Sequence, residues 1–242
     1  TMRLQTLLHA VFPPACLCCE GRVETDFALC GSCWADTPFV LGAACDLCGV
    51  GLPGQSSLSG PLICEECHTI ARPWSRGRAV LHYAGNGRKL VLGLKHADRA
   101  EVARAAGPWM ARAASDLLAD EPLILPIPLH WRRLAQRRFN QSALLAAALA
   151  RASGCDWMPD GLLRSRHTPT QDGRDRDGRF ANLDAAIRVA PRRADAIAGR
   201  NILLVDDVMT SGATFSAAAQ ACHAAGAGQV CVMALARVAR DA

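Results

Sequence analysis

Eight cysteines in four pairs of identical C-x2-C spacing constrain this 242-residue chain more than any other feature: Cys16 and Cys19, Cys30 and Cys33, Cys45 and Cys48, Cys64 and Cys67. Disulfides do not require such regularity. A metal knuckle does, because two intervening residues let both thiolates face one ion at about 2.3 Å while nearby backbone amides donate to the sulfurs. Ten residues separate the first two pairs and fifteen the last two, the spacing of a ribbon with two hairpin-borne knuckles. Sequential use of the pairs gives two structural Zn2+ sites, each a tetrathiolate; interleaved pairing, or a single occupied site, stays open. The competing picture is a secreted disulfide framework, which a signal peptide would support. Residues 4–12 (LQTLLHAVF) are apolar enough to consider, but Gln5, Thr6 and His9 interrupt them and Pro13-Pro14 offers no small-residue cleavage site. A short amphipathic helix leading into the first knuckle is expected instead, in a reducing, cytoplasmic compartment. Cys18 breaks the pairing and reads as a bystander; Cys155, Cys222 and Cys231 read as core residues.

Charge divides the chain where cysteine does. Residues 1–75 carry three basic and seven acidic side chains, residues 76–242 twenty-four and fifteen. Two units are therefore expected: a Cys-rich zinc-ribbon module over 1–75 and a basic, alanine-rich domain over 76–242. The module has few apolar residues of its own and needs metal to fold; its acidity argues against nonspecific nucleic-acid binding through it. No apolar run reaches the roughly 18 residues of a membrane span, so a soluble protein with no membrane partner is expected. Of the basic residues only Lys89 and Lys95 are lysines, an arginine bias too general to indicate nucleic acid. The twelve aromatic residues are scattered, and no stacking platform can be read from them.

In the second unit, residues 79–83 read as a strand and are followed by a helical stretch carrying both lysines. Asp98 with Glu101 resembles a capping box opening a helix through about Leu118, kinked at Gly107-Pro108. LILPIP at 123–128 is a short buried strand, and Asn140 opens a helix over Gln141–Ala152 that Gly154 closes. Strands are expected near Ile187–Val189, at Asn201–Val205 and at Val230–Ala236, with a helix over Thr214–Ala225. Strands alternating with helices predict an α/β fold with a parallel sheet.

The segment Asn201 to Thr214 holds the sharpest chemical signal. Two acids, Asp206 and Asp207, stand at the carboxyl end of an apolar strand, where open parallel sheets bind ligands. Five small residues then turn into a helix N-terminus, where exposed backbone N–H groups and the helix dipole suit a phosphate dianion. Carboxylates beside a phosphate cradle would be repelled by it unless they served something else, such as sugar hydroxyls. A ribose 5-phosphate group is the ligand these features fit.

Residues 205–214, VDDVMTSGAT, resemble the phosphoribosyl pyrophosphate (PRPP) loop of type I phosphoribosyltransferases: Val205, Asp206, Asp207, Val208, Met209, Thr210, Ser211, Gly212, Ala213 and Thr214. The resemblance implies that Asp206 and Asp207 act as the catalytic acids on the ribose hydroxyls while Thr210–Thr214 wraps the 5-phosphate. Zinc knuckles in front, LPIPLHWRRLAQRRFNQ at 125–141, and TPTQ at 168–171 with Arg179 and Asn182 resemble the ComF/GntX family of competence-associated, phosphoribosyltransferase-like proteins over nearly the whole chain. It implies a type I phosphoribosyltransferase fold behind the ribbon, a pyrophosphate loop after residue 128, and a hood over 164–182. Arg132, Arg133, Arg137 and Arg138 are pyrophosphate candidates, with about half expected to be solvated surface groups; Gln171 and Arg179 are hood candidates. Lys95 and His96 end a helical segment from which they could reach the site, though a surface position is expected. Two positions depart from the family pattern: Arg138 replaces a glycine and Arg174 a leucine.

The implied activity is transfer of phosphoribose from PRPP, with Mg2+, to an acceptor the sequence does not identify, linked to DNA uptake and utilisation. Two alternatives share these residues: a noncatalytic PRPP-binding regulator, and a competence accessory factor that meets single-stranded DNA or a helicase partner.

Overall fold

The computed structural model describes residues 13–54, 60–95, 99–129, 139–164 and 187–239. Its strands are β1 (Arg76–His82), β2 (Leu123–Pro126), β3 (Leu162–Arg164), β4 (Ile187–Val189), β5 (Ile202–Met209) and β6 (Val230–Arg237). Four of them form one parallel sheet in the order β1-β6-β5-β2. The central strands are apolar on both sides because both sides are covered. Leu203, Val205, Met233 and Leu235 face one core, and Ile202, Leu204, Val230, Val232 and Ala234 face the other. Helices Gly85–Lys95, Glu101–Ala113 and Gln141–Ser153 contribute to the first core, helix Ala213–Ala224 to the second. The expected α/β architecture with a parallel sheet is present.

Three local expectations change. The strand at Ile187–Val189 pairs antiparallel with Leu162–Arg164, outside the parallel sheet. β5 continues to Met209, so both acids lie within its last turns of pleat rather than beyond its end. The helix containing Gly107 and Pro108 runs from Glu101 to Ala113 and breaks at Ala114, with a separate turn at Ser115–Leu118. Its N-cap is Ala100, with no side-chain cap; Asp98 lies outside the described residues, as does the expected helix at 4–12.

Gly107 is explained by packing. A Cβ there would stand 2.7 Å from the Ala148 carbonyl oxygen on helix Gln141–Ser153, so the absence of a side chain lets the two helices meet at backbone distance. Alanine normally gains about 1 kcal/mol over glycine inside a helix. At this position Gly107→Ala is expected to destabilise instead, by about 1–3 kcal/mol, read as a lower urea midpoint; an unchanged or higher midpoint would refute the close crossing.

The Cys-rich segment docks on the edge of the sheet. Its short helices Gly31–Ala35 and Glu65–Thr69 begin directly after Cys30 and Cys64, and one helical turn brings Cys33 and Cys67 round to the same side. The segment Pro38–Val40 runs antiparallel along β1: Val40 N donates to Val80 O at 2.8 Å and His82 N to Pro38 O at 2.8 Å. At the opposite edge, Ile124 N donates to Asp156 O and Met158 N to Ile124 O. Both outer strands therefore have their exposed backbone groups engaged by short irregular segments. Trp34, Phe39 and Trp109, scattered in sequence, meet where the ribbon joins helix Glu101–Ala113, with ring centroids 4.7–6.0 Å apart. Among the described residues no helix is long and apolar enough to cross a membrane.

Candidate functional site

The cysteine pairs converge sequentially. Cys16, Cys19, Cys30 and Cys33 form one cluster and Cys45, Cys48, Cys64 and Cys67 another, with the ligand atoms of each within 4.8 Å of one another. A tetrahedral ion with sulfurs at about 2.3 Å separates them by roughly 3.8 Å. The Cys19 and Cys30 sulfurs are 3.6 Å apart and those of Cys48 and Cys64 3.7 Å, so both clusters fit zinc and the interleaved pairing falls away. The amide donors expected of knuckles are present: Cys30 N reaches Cys16 Sγ at 3.3 Å and Cys64 N reaches Cys45 Sγ at 3.4 Å. Cys222 and Cys231 are core residues, as expected, and Cys18 packs against the first core.

A second centre of chemistry lies at the carboxyl end of β5. Asp206 Oδ1 accepts the Ser142 hydroxyl at 2.7 Å and the Asp207 amide at 2.8 Å. Ser142 is in the first turn of helix Gln141–Ser153, whose N-cap Asn140 accepts from Ser142 N and donates from Nδ2 to Ile127 O at 3.0 Å. One asparagine thus fixes the helix start to the chain leaving β2 and places the positive helix end beside a carboxylate. Asp207 Oδ2 lies 3.3 Å from Lys95 Nζ, which is a site position rather than the free surface position expected of Lys95. Burial first, and the Asp207 charge second, push the Asp206 carboxyl up to about 7, against the opposing pull of Ser142, the Asp207 amide and Lys95. A carboxylate so desolvated gains by meeting hydroxyl donors.

The turn that follows is tight. Thr210 is exposed and Ser211 buried; Gly212 has φ +80° and is the N-cap of helix Ala213–Ala224. A side chain on Gly212 would be strained and would meet Arg72 Nη1 at 2.9 Å and the Trp74 ring at 3.0 Å. The cradle is therefore Thr210–Gly212 with the first helical residues Ala213 and Thr214. Val205 and Met209 supply backbone only, their side chains being buried in opposite cores, while Val208 packs partly against the first. Arg132, Arg133, Arg137, Arg138, Gln171, Arg179 and His96, with the proposed hood, lie outside the described residues. Ser142, Arg72, Glu66 and Arg237 were not singled out from sequence. A serine two places after an Asn cap was the only signal for the first, and the other three carried none.

Residues 7–73 match the family described as the double zinc ribbon domain. The chain is 32% identical to the DNA utilization protein YhgH of Escherichia coli K12 over 228 residues, covering 92% of this chain and 89% of that protein. It is 25% identical to Competence protein F of Haemophilus influenzae, covering 95% and 93% of the two chains. Competence protein ComFC of Bacillus subtilis is likewise 25% identical, over 85% of this chain and 87% of its own. Among solved structures, the allosteric regulatory enzyme of purine biosynthesis overlaps at 19% identity with a TM-score of 0.38, covering 55% of this chain and 26% of that one. That last likeness is too slight to build on.

Proposed function

The chain belongs to the family of YhgH and the ComF competence proteins, and from that premise we propose that it binds PRPP at the end of β5 and transfers its phosphoribosyl group to an acceptor used in handling DNA. The observation that supports this most is the continuity of the acid pair with the turn: Asp206 and Asp207 end the strand, and a glycine with φ +80° starts the helix three residues after Met209. Asp206 and Asp207 would accept the ribose hydroxyls, and the backbone amides of the turn would hold the 5-phosphate. Lys95 would lose its partner as the sugar engages Asp207 and become free to meet pyrophosphate charge. Both carboxylates already have partners, which suits hydroxyl donors better than a bare divalent ion. Magnesium would accordingly arrive on the pyrophosphate, where it supplies charge neutralisation for the leaving group. The four thiol pairs, used as metal ligands, support a reducing, cytoplasmic setting.

Calorimetric titration with PRPP and Mg2+ is expected to give one saturable site per chain, competed by ribose 5-phosphate; no heat and no competition would reject the reading. Pyrophosphate release with an acceptor library separates an enzyme from a PRPP-binding regulator. A second reading, contact with single-stranded DNA, is favoured by the charge of residues 76–242, twenty-four basic against fifteen acidic side chains. Binding of labelled oligothymidylate, with a steep loss on adding salt, would support that contact.

A further inference from the structure

The second cysteine cluster and the proposed phosphate turn are joined by two buried arginines. Arg72 has a side chain with no exposed surface, and that of Arg237 is 2% exposed. Arg72 Nη1 donates to Ser211 O at 2.6 Å. Arg237 Nη1 donates to Thr210 O at 2.6 Å and to Met209 O at 3.3 Å. Three successive turn carbonyls are thereby held by guanidinium groups from one side. In a planar trans peptide the following N–H points the opposite way, so pinning the carbonyls of Thr210 and Ser211 turns the amides of Ser211 and Gly212 away from the arginines. That orientation is what a backbone anion cradle needs.

The other side of each guanidinium faces the cluster. Glu66, between Cys64 and Cys67, accepts Arg237 Nη2 at 2.7 Å and lies 3.3 Å from Arg72 Nη2. Glu66 directly precedes Cys67 in the chain, so both guanidinium groups are tied to the helix that carries that ligand. Trp74, under the Arg72 guanidinium at 5.4 Å, donates its Nε1–H to the Leu47 carbonyl at 2.6 Å, inside the Cys45–Cys48 knuckle. A tetrathiolate zinc would carry net charge −2 and Glu66 adds one more, which the two buried guanidinium groups partly offset. No comparable bridge joins the first cluster to the turn among the described residues.

We propose that Arg72 and Arg237 are positioning residues that hold Thr210–Gly212 in its anion-binding conformation, and that the second metal centre fixes both, so that its occupancy sets the affinity of the turn. The affinity clause rests on the PRPP reading above; the linkage itself does not. Lysine at position 72 keeps the charge but cannot span the Ser211 carbonyl, Glu66 and the Trp74 face together.

The test uses the full zinc-loaded chain, its Arg72→Lys variant, a first-centre variant (Cys16→Ser with Cys19→Ser) and a second-centre variant (Cys45→Ser with Cys48→Ser). Bound zinc is counted by chelator release, turn mobility by hydrogen exchange, and affinity by titration with PRPP and Mg2+. Arg72→Lys is expected to keep two zinc ions while the amides of residues 210–213 exchange about tenfold faster and PRPP binds roughly 10-fold to 100-fold more weakly. Loss of the second centre should do the same, and loss of the first should leave exchange at the turn unchanged. Unchanged exchange at the turn in Arg72→Lys overturns the proposal, and this variant decides if the serine variants fail to fold. Faster exchange in a chain whose parent binds no PRPP upholds the linkage and rejects the phosphate reading alone.

Discussion

Chelating the metal from both cysteine clusters is expected to unfold residues 13–75, with release of two zinc ions per chain and faster trypsin cleavage after Arg22. The expectation follows from how little else holds this segment. Among its described residues, the regular structure internal to it is two five-residue helices and single bridges at Ala15–Arg22 and Ala44–Gly51. Most of its buried apolar residues are the ligands themselves: Cys16, Cys33, Cys45, Cys48 and Cys67, joined by Leu17, Ala43 and Trp74. Helices of that length have no stability in isolation. A structural tetrathiolate site contributes on the order of 10 kcal/mol or more, which exceeds what the ion pairs of Arg76 and Arg78 with Asp46 could replace at a partly exposed surface. Circular dichroism and a zinc-sensitive dye read the loss together. A metal-free chain cleaved no faster after Arg22 would show the ribbon to be held by its docking instead.

Neutralising the acid pair is expected to abolish PRPP binding and to stabilise the fold at the same time. The Asp206 carboxyl is pushed up to about 7 in the folded chain, whereas an unfolded aspartate titrates near 4. Between those values the folded state holds a proton that the unfolded state has released, so wild-type stability falls as pH rises through about 4 to 7. Asp206→Asn carries no such proton and retains an oxygen to accept from Ser142 and the Asp207 amide. Urea unfolding should therefore show equal stability at pH 4, and at pH 8 an advantage of about 1–3 kcal/mol for the variant. Adding Asp207→Asn removes the second charged acceptor, and losing two charge-assisted hydrogen bonds weakens ligand binding by about 100-fold or more. Retained binding in the double variant would remove Asp206 and Asp207 from the site. Lower stability of Asp206→Asn at pH 8 would contradict the burial argument.

The parts of this molecule that its sequence discloses are those whose chemistry is local. C-x2-C reads as a knuckle because one helical turn, as in Cys30–Cys33 and Cys64–Cys67, brings both sulfurs to one side. Asn140 and Gly154 announce a helix because capping is decided within four residues. The acid pair followed by small residues places the candidate site for the same reason. What escaped was decided by distant chain. Three residues at Ile187–Val189 carry no mark of the strand they pair with, and only the fold sets them against Leu162–Arg164. Lys95 reads as a helix-terminal surface lysine until β5 brings Asp207 beside it. Arg237 ends an apolar run and would normally be solvent-facing; its burial becomes tolerable because Glu66, 171 positions earlier, and the carbonyls of Met209 and Thr210 accept from it.

The covered edges of the sheet give the metal a further consequence. Pro38–Val40 sits along β1 only while the ribbon is folded, and once it leaves, the backbone donors and acceptors of Val80 and His82 have no partner. The neighbouring side chains Val80 and Leu81 are apolar and buried, so the strand laid open would be a template for adding strands from other molecules. Zinc scarcity would then present itself as insolubility of the chain, with growth of intermolecular sheet, before any loss of the parallel core behind it.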